Sequence, residues 1–254
     1  MVMKRYVLLI LVALLLLNGC SAIIIPNDFV YKEIKTDTFN LASWQKITNP
    51  SAEYKIYIEG DGYAYNRYGR ATQDPTPKTT LVRELAFRDK NANVIYLARP
   101  CQYIKSPICS QRHWTTARFA PEVLNAEYQA IMQVAGNSPV TLVGFSGGAQ
   151  IVGLVSTAKQ GINVKQVITI AGNLDHYAWV EYHDLSPLTE SLNLADYYDE
   201  FIKIPQIHYV GENDEVVPPC LIREFIKNKA PIVVVSGASH NTGWNSVFDD
   251  IISE

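Results

Sequence analysis

Cysteine, clustered positive charge and internal repetition are all scarce in this chain, and each scarcity removes a class of function. The 254 residues hold four cysteines, at positions 20, 101, 109 and 220, and no two stand in a C-x-x-C arrangement. H-E-x-x-H and calcium-loop patterns are missing too, so no metal and no cofactor are expected. Lys and Arg are scattered and the net charge is only −3, which leaves no basic stripe for a nucleic-acid partner. No repeat period or low-complexity tract points to a solenoid or a long linker. The longest apolar run, Tyr6 to Leu17, has twelve residues, well short of the roughly 20 that span a bilayer.

That run has another reading. Met1-Val2-Met3-Lys4-Arg5 is a short basic segment, and an apolar core of this length behind it suits an export signal. Leu17-Asn18-Gly19-Cys20 resembles a bacterial lipobox, which implies that Cys20 is lipidated and becomes the new N-terminus. Asn18 departs from the small residue usual there, and a simple secretory signal is the alternative. Residues 1–19 are therefore set aside as a signal peptide. The mature protein is expected to be exported and held to a membrane through Cys20, and Ser21 after the cysteine suits the outer membrane of a host that has one. In an oxidising compartment Cys101 and Cys109 are close enough to bridge a short loop, leaving Cys220 free; three pairings are formally possible.

The remaining 235 or so residues suit one large α/β domain. Residues 20–50 read as a tether and lead-in with an early edge strand. From residue 51 strands and helices alternate. Strands are expected at 54–58, 93–98, 140–145, 164–171, 205–210 and 232–235. Helices are expected at 81–88, 121–134, 147–159, 219–228 and 244–252. Residues 174–203 break the rhythm with Tyr177, Trp179, Tyr182, Tyr197, Tyr198 and Phe201; a segment in that place either walls a pocket or packs peripherally. The alternation predicts an α/β fold with a mainly parallel central sheet and helices on both faces. Ligands of such sheets sit beyond the carboxyl ends of the strands.

Gly144-Phe145-Ser146-Gly147-Gly148 lies between an apolar strand and an apolar helix. G-x-S-x-G in that setting forces the serine into a sharp turn with its hydroxyl outside the sheet. Flanking glycines are required because a Cβ there would collide with the neighbouring strand or helix. The plain alternative is a glycine-rich turn with an incidental serine. A serine hydroxyl needs a base to take its proton, and the base needs a carboxylate to hold its tautomer. Asp214, in Gly211-Glu212-Asn213-Asp214-Glu215-Val216-Val217-Pro218, and His240, in Gly237-Ala238-Ser239-His240, both follow strand ends. Their competitors are Glu212, Glu215 and Asp175 for the acid, and His113, His176, His183 and His208 for the base. His208 lies inside a strand, where packing explains it.

G-F-S-G-G, G-E-N-D-E-V-V-P and G-A-S-H, in that order, resemble the α/β-hydrolase superfamily over nearly the whole mature chain. The resemblance implies Ser146 as nucleophile, His240 as base and Asp214 as its orienting acid. It implies an oxyanion hole of the Gly147 N–H and an N–H in Gly60-Asp61-Gly62, from Asp61 or Gly62. Where the family often has His-Gly, this chain has Glu59-Gly60, which leaves the second donor open. The implied activity is hydrolysis of an ester or related acyl bond on a small-molecule or lipid substrate. The alternative is a catalytically silent surface lipoprotein that uses the scaffold for binding.

Overall fold

The computed structural model describes residues 25–254, so the signal segment and Cys20 lie outside the described residues. Eight strands form one sheet: β1 (Val30–Lys35), β2 (Asn40–Ile47), β3 (Tyr54–Ile58), β4 (Asn93–Leu97), β5 (Val140–Phe145), β6 (Val164–Ile170), β7 (Gln206–Gly211) and β8 (Ile232–Val235). Their spatial order is β1-β2-β4-β3-β5-β6-β7-β8. The pairs from β4 to β8 are parallel, and β1 and β2 are attached antiparallel at one edge. The expected α/β architecture with a mainly parallel sheet is the one observed.

Period-two alternation divides the core into two halves. Ile56, Ile58, Ile95, Leu97 and Leu142 point to one face, and α2 (Pro121–Ala135) and α3 (Gly147–Thr157) cover it. Tyr57, Val94, Tyr96, Val143 and Phe145 point to the other, under α1 (Leu81–Arg88) and α7 (Phe248–Ser253). Every residue of β3, β4 and β5 is buried. Such strands read as near-continuous apolar runs because both of their faces are covered. Pro121 opens α2, where its missing N–H costs nothing.

The lead-in differs from expectation. Instead of a tether with one edge strand, residues 30–47 form a hairpin whose second strand is almost wholly buried. Leu41 joins one half of the core, while Ala42 and Trp44 join the other. Ser43, Gln45 and Lys46 concealed this strand in the sequence. They are buried but paired: Gln45 Nε2 donates to Ser43 Oγ at 2.9 Å and Lys46 Nζ donates to the Asp89 carbonyl at 2.5 Å. The sheet-forming domain therefore begins near residue 30 rather than at 51.

Between β6 and β7 lie α4 (His176–Tyr182) and α5 (Tyr198–Phe201), and α6 (Pro219–Ile226) follows β7. Cys101 and Cys109 are joined in a disulfide with Cα atoms 5.7 Å apart, and Cys220 is a free, exposed cysteine.

At the centre, strand and helix approach so closely that only glycine fits. A Cβ on Gly144 would stand 2.6 Å from the Gly148 carbonyl oxygen, and one on Gly148 would stand 2.6 Å from that of Ile58. Both obstacles are backbone, which cannot rotate away. Gly144→Ala is expected to lower stability by about 1–3 kcal/mol through overpacking, read as a fall in the thermal midpoint; an unchanged midpoint would contradict this account of the crossing.

Candidate active site

Ser146 occupies the turn from β5 into α3 with φ 51° and ψ −122°. A positive φ is rare for a residue with a Cβ and is held only where the surroundings over-determine it. Here the Ser146 N–H donates to the Ile170 carbonyl, and its own carbonyl accepts from the N–H groups of Ala149 and Asn173, all at 3.0 Å. The hydroxyl meets an imidazole directly: Ser146 Oγ lies 3.0 Å from His240 Nε2. On the other side of the ring, His240 Nδ1 lies 2.9 Å from Asp214 Oδ2. Both distances are within the range for proton transfer and for a tautomer-fixing hydrogen bond.

The acid is fixed in turn. Asp214 is buried, and its Oδ1 accepts the N–H groups of Val216 and Val217 at 2.9 Å each. Two strand ends, of β7 and β8, thus bring acid and base together. Phe145 packs on the imidazole with ring centroids 5.1 Å apart, and the His240 carbonyl accepts from Trp244 Nε1 at 3.2 Å.

The competing residues have other occupations. Asp175 caps α4, accepting from the N–H groups of Tyr177 and Ala178. Glu212 holds Ser236 and the Gly237 N–H, and Glu215 is exposed. His208 is packed between Thr169 and Gln206, and burial pushes its pKa down to about 3. His176 meets the Leu192 carbonyl, His183 the Val216 carbonyl, and His113 meets Arg112 and Ser110.

Beside Ser146 runs the turn Gly60-Asp61-Gly62. A Cβ on Gly60 would touch Ser146 Cβ at 3.1 Å, and one on Gly147 would strike the Asp61 carboxylate at 2.1 Å. Asp61 therefore lies against the residue after the serine. Gly62, with φ +66°, faces the Pro75 carbonyl and Gln102. Gln102 Nε2 also donates to the Gly60 carbonyl at 2.9 Å, clamping the turn from the disulfide-closed loop.

A cavity of about 470 Å³ opens over these groups. Its walls include Tyr63, Tyr65, Lys78, Arg118, Asn173 and Trp179. Of the covering segment, Trp179 reaches the cavity and hydrogen-bonds the Val216 carbonyl at 2.6 Å, whereas Tyr177 and Tyr182 are exposed and Phe201 is packed inside. The segment is thus part wall and part packing. Arg118, Lys78 and Asn173 had not been singled out from the sequence. Arg118 carried one signal: a lone charge between apolar Ala117 and Phe119-Ala120.

Glu59 is buried under the turn. Its Oε1 accepts the Gly60 N–H and its Oε2 the Tyr96 hydroxyl at 2.7 Å. Burial pushes its pKa up to about 7, against these two hydrogen bonds and the charges of Arg83 and Arg99.

A serine–histidine–aspartate chain on the strand ends of a mainly parallel sheet, with glycines packing the serine's turn, defines an α/β hydrolase. Residues 110–241, just over half of the chain, match the model of the family described as serine hydrolase (FSH1), and the chain belongs to that family. Among solved structures it is similar to Est1E from Butyrivibrio proteoclasticus, with a TM-score of 0.60 and 13% identity over 88% of this chain and 94% of that one. The thioesterase domain from the curacin biosynthetic pathway gives 0.60 and 12% over 89% and 98%. An α/β serine hydrolase homologue from Coxiella burnetii gives 0.55 and 19% over 91% and 97%. At such identities the likeness is one of fold. No curated protein matches the chain in sequence.

Glu59 generates a pH prediction. A carboxyl whose folded pKa is raised binds its proton more tightly in the folded state, so stability falls as pH rises from the unfolded value near 4.5 to about 7. Glu59→Gln, neutral throughout, should gain more than about 1 kcal/mol on the wild type between pH 4.5 and pH 8. Parallel thermal midpoints of the two proteins across that range would count against the assignment.

Proposed function

We propose that the protein is an exported, lipid-anchored serine esterase that cleaves an ester or related acyl bond through an acyl-enzyme. The observation that carries the chemistry is the continuous hydrogen-bonded chain from Ser146 Oγ through His240 to Asp214, 3.0 and 2.9 Å long in its two links. In the first half-reaction Ser146 Oγ attacks the carbonyl carbon while His240 Nε2 takes the hydroxyl proton. Asp214 stabilises the resulting imidazolium and keeps the ring in its tautomer. The negative charge collects on the former carbonyl oxygen, beside the N–H groups of Gly147 and Asp61. Among the described residues these two N–H groups have no other acceptor. The Gly147 N–H is one oxyanion donor in this reading and Asp61 the second, with the Gly62 N–H, equally without an acceptor among the described residues, as the alternative. Collapse expels the alcohol, which leaves with the proton from His240. Water, deprotonated by the same imidazole, then releases the acid and restores Ser146.

Export is supported by the basic segment, the apolar core and Cys20 in the sequence, and by a disulfide of the kind that persists in oxidising compartments.

A fluorophosphonate probe should label the wild type and fail on Ser146→Ala. His240→Ala should lower turnover of a short-chain 4-nitrophenyl ester by about 10³-fold or more while circular dichroism stays unchanged. A folded wild type that takes no label would leave only a binding role for the scaffold. Where the protein acts is tested separately: Cys20→Ala should move it from the membrane fraction to the soluble fraction and abolish lipid labelling. Membrane retention by that variant would refute the anchor.

A further inference from the structure

The wall of the cavity beside the oxyanion turn carries more cationic hydrogen-bonding capacity than the fold uses. Arg118 is the centre of it. Its side chain is only 7% exposed, yet it lines the cavity with Ser146 and Gly147. Nε donates to the Thr115 carbonyl at 2.7 Å and Nη1 to Asp61 Oδ2 at 2.5 Å, while Nη2 stands a long 3.5 Å from the Tyr65 hydroxyl. A guanidinium has five N–H groups, so part of this fork is left for a ligand. The rings of Tyr65 and Trp179, 5.7 and 6.0 Å from the guanidinium carbon, hold the group between two cavity walls. A planar cation kept this rigid loses little entropy on pairing with a planar anion.

The surrounding charges do not cancel it. Asp61 is shared between Arg118 and Arg99, whose Nη1 lies 3.5 Å from Asp61 Oδ1. Arg99 also faces Glu127, but at 3.5 Å and without hydrogen-bond geometry, and neither Glu127 oxygen has a partner among the described residues. Burial pushes the Glu127 pKa up to about 8. Two guanidinium groups thus share the Asp61 carboxylate, which leaves N–H groups of Arg118 that it does not occupy. Glu59, the other acid on the wall, turns its oxygens to the Gly60 N–H and the Tyr96 hydroxyl.

Two further groups face the same space. Asn173 is 8% exposed, lines the cavity, and uses its side-chain amide in no hydrogen bond among the described residues. Lys78 is exposed at the rim, with Nζ 3.3 Å from the centroid of the Tyr63 ring.

We infer that the cavity selects esters carrying a carboxylate close to the scissile bond, with Arg118 as the specificity-determining residue and Lys78 and Asn173 assisting. The inference rests on the hydrolase reading of Ser146, and it names the substrate class that reading leaves open. A carboxylate on the substrate takes the free edge of the Arg118 fork as a charge-assisted pair.

The test uses two matched ester pairs at low ionic strength. One pair differs on the acyl side, 4-nitrophenyl pentanoate against the 4-nitrophenyl monoester of glutaric acid, corrected for spontaneous hydrolysis. The other differs on the alcohol side, ethyl butanoate against butanoyloxyacetate. The wild type should favour the charged member of at least one pair by about tenfold or more in kcat/KM, the size expected of one charge-assisted hydrogen bond. Arg118→Met should lower kcat/KM for that charged ester at least fivefold more than for its neutral partner, and Arg118→Lys should recover part of the difference. Because Arg118 also holds Asp61, Lys78→Ala at the exposed rim provides a second variant free of folding consequences; it should narrow the preference by a smaller factor. Free glutarate should also slow fluorophosphonate labelling of the wild type and slow that of Arg118→Met less.

Equal treatment of both members of both pairs overturns the inference, as does an equal loss on charged and neutral esters in Arg118→Met. Glutarate without effect on wild-type labelling overturns it as well. Neutral esters would still be hydrolysed in each of these outcomes, which separates them from failure of the hydrolase reading, where no ester turns over and Ser146 takes no label.

Discussion

The backbone of Ser146 is the constraint on which the rest of the structure depends. A serine held at φ 51° and ψ −122° costs about 1–3 kcal/mol, and that cost is met by rigid neighbours on every side. The Ile170 carbonyl fixes its N–H, the N–H groups of Ala149 and Asn173 fix its carbonyl, and the start of α3 presses on Gly144 while the end of β3 presses on Gly148. The reward is a hydroxyl presented at a strand end, where the loops after β7 and β8 deliver an acid and an imidazole. Two large apolar layers, one on each face of the sheet, make the turn hard to relax.

Four carboxyl groups lie close to this centre, and their surroundings give them different characters. Asp214 meets two backbone N–H groups and the imidazole, so both of its oxygens are occupied. Asp61 is held by two guanidinium groups. Glu59, despite two hydrogen bonds, and Glu127, whose oxygens have none among the described residues, are buried and both are raised, to about 7 and about 8. Desolvation favours the neutral acid unless hydrogen bonds or cations offset it. The site therefore sets a fully hydrogen-bonded carboxylate behind the imidazole and two guanidinium groups beside the Gly60-Asp61-Gly62 turn.

Much of this was legible in the sequence, for identifiable reasons. Buried parallel strands write themselves as short apolar runs, so β3 to β8 were placed within a residue or two. The serine turn was legible because its geometry tolerates few residue types. The order Ser146, Asp214, His240 was legible because each follows a strand end. What escaped was whatever depended on pairing across the fold. β2 was hidden by Ser43, Gln45 and Lys46, whose polar ends are satisfied by partners that no local pattern specifies. Arg118 shows only as a lone charge among apolar neighbours for the same reason: its meaning comes from Asp61, 57 positions away. The position of Asp61 against Gly147 likewise needed the packing of one turn on another.

The loop closed by Cys101 and Cys109 has a consequence for how the protein matures. It contains Gln102, which holds the Gly60 carbonyl and the Arg99 N–H, and Tyr103, whose hydroxyl lies 3.3 Å from that of Tyr96 above Glu59. The oxyanion turn is therefore braced by a segment whose own shape is completed by joining two thiols. A chain whose thiols are still reduced lacks the covalent closure behind the Gly60-Asp61-Gly62 turn. Thiol oxidation and the shape of the turn beside Ser146 are thereby linked through one side chain, Gln102.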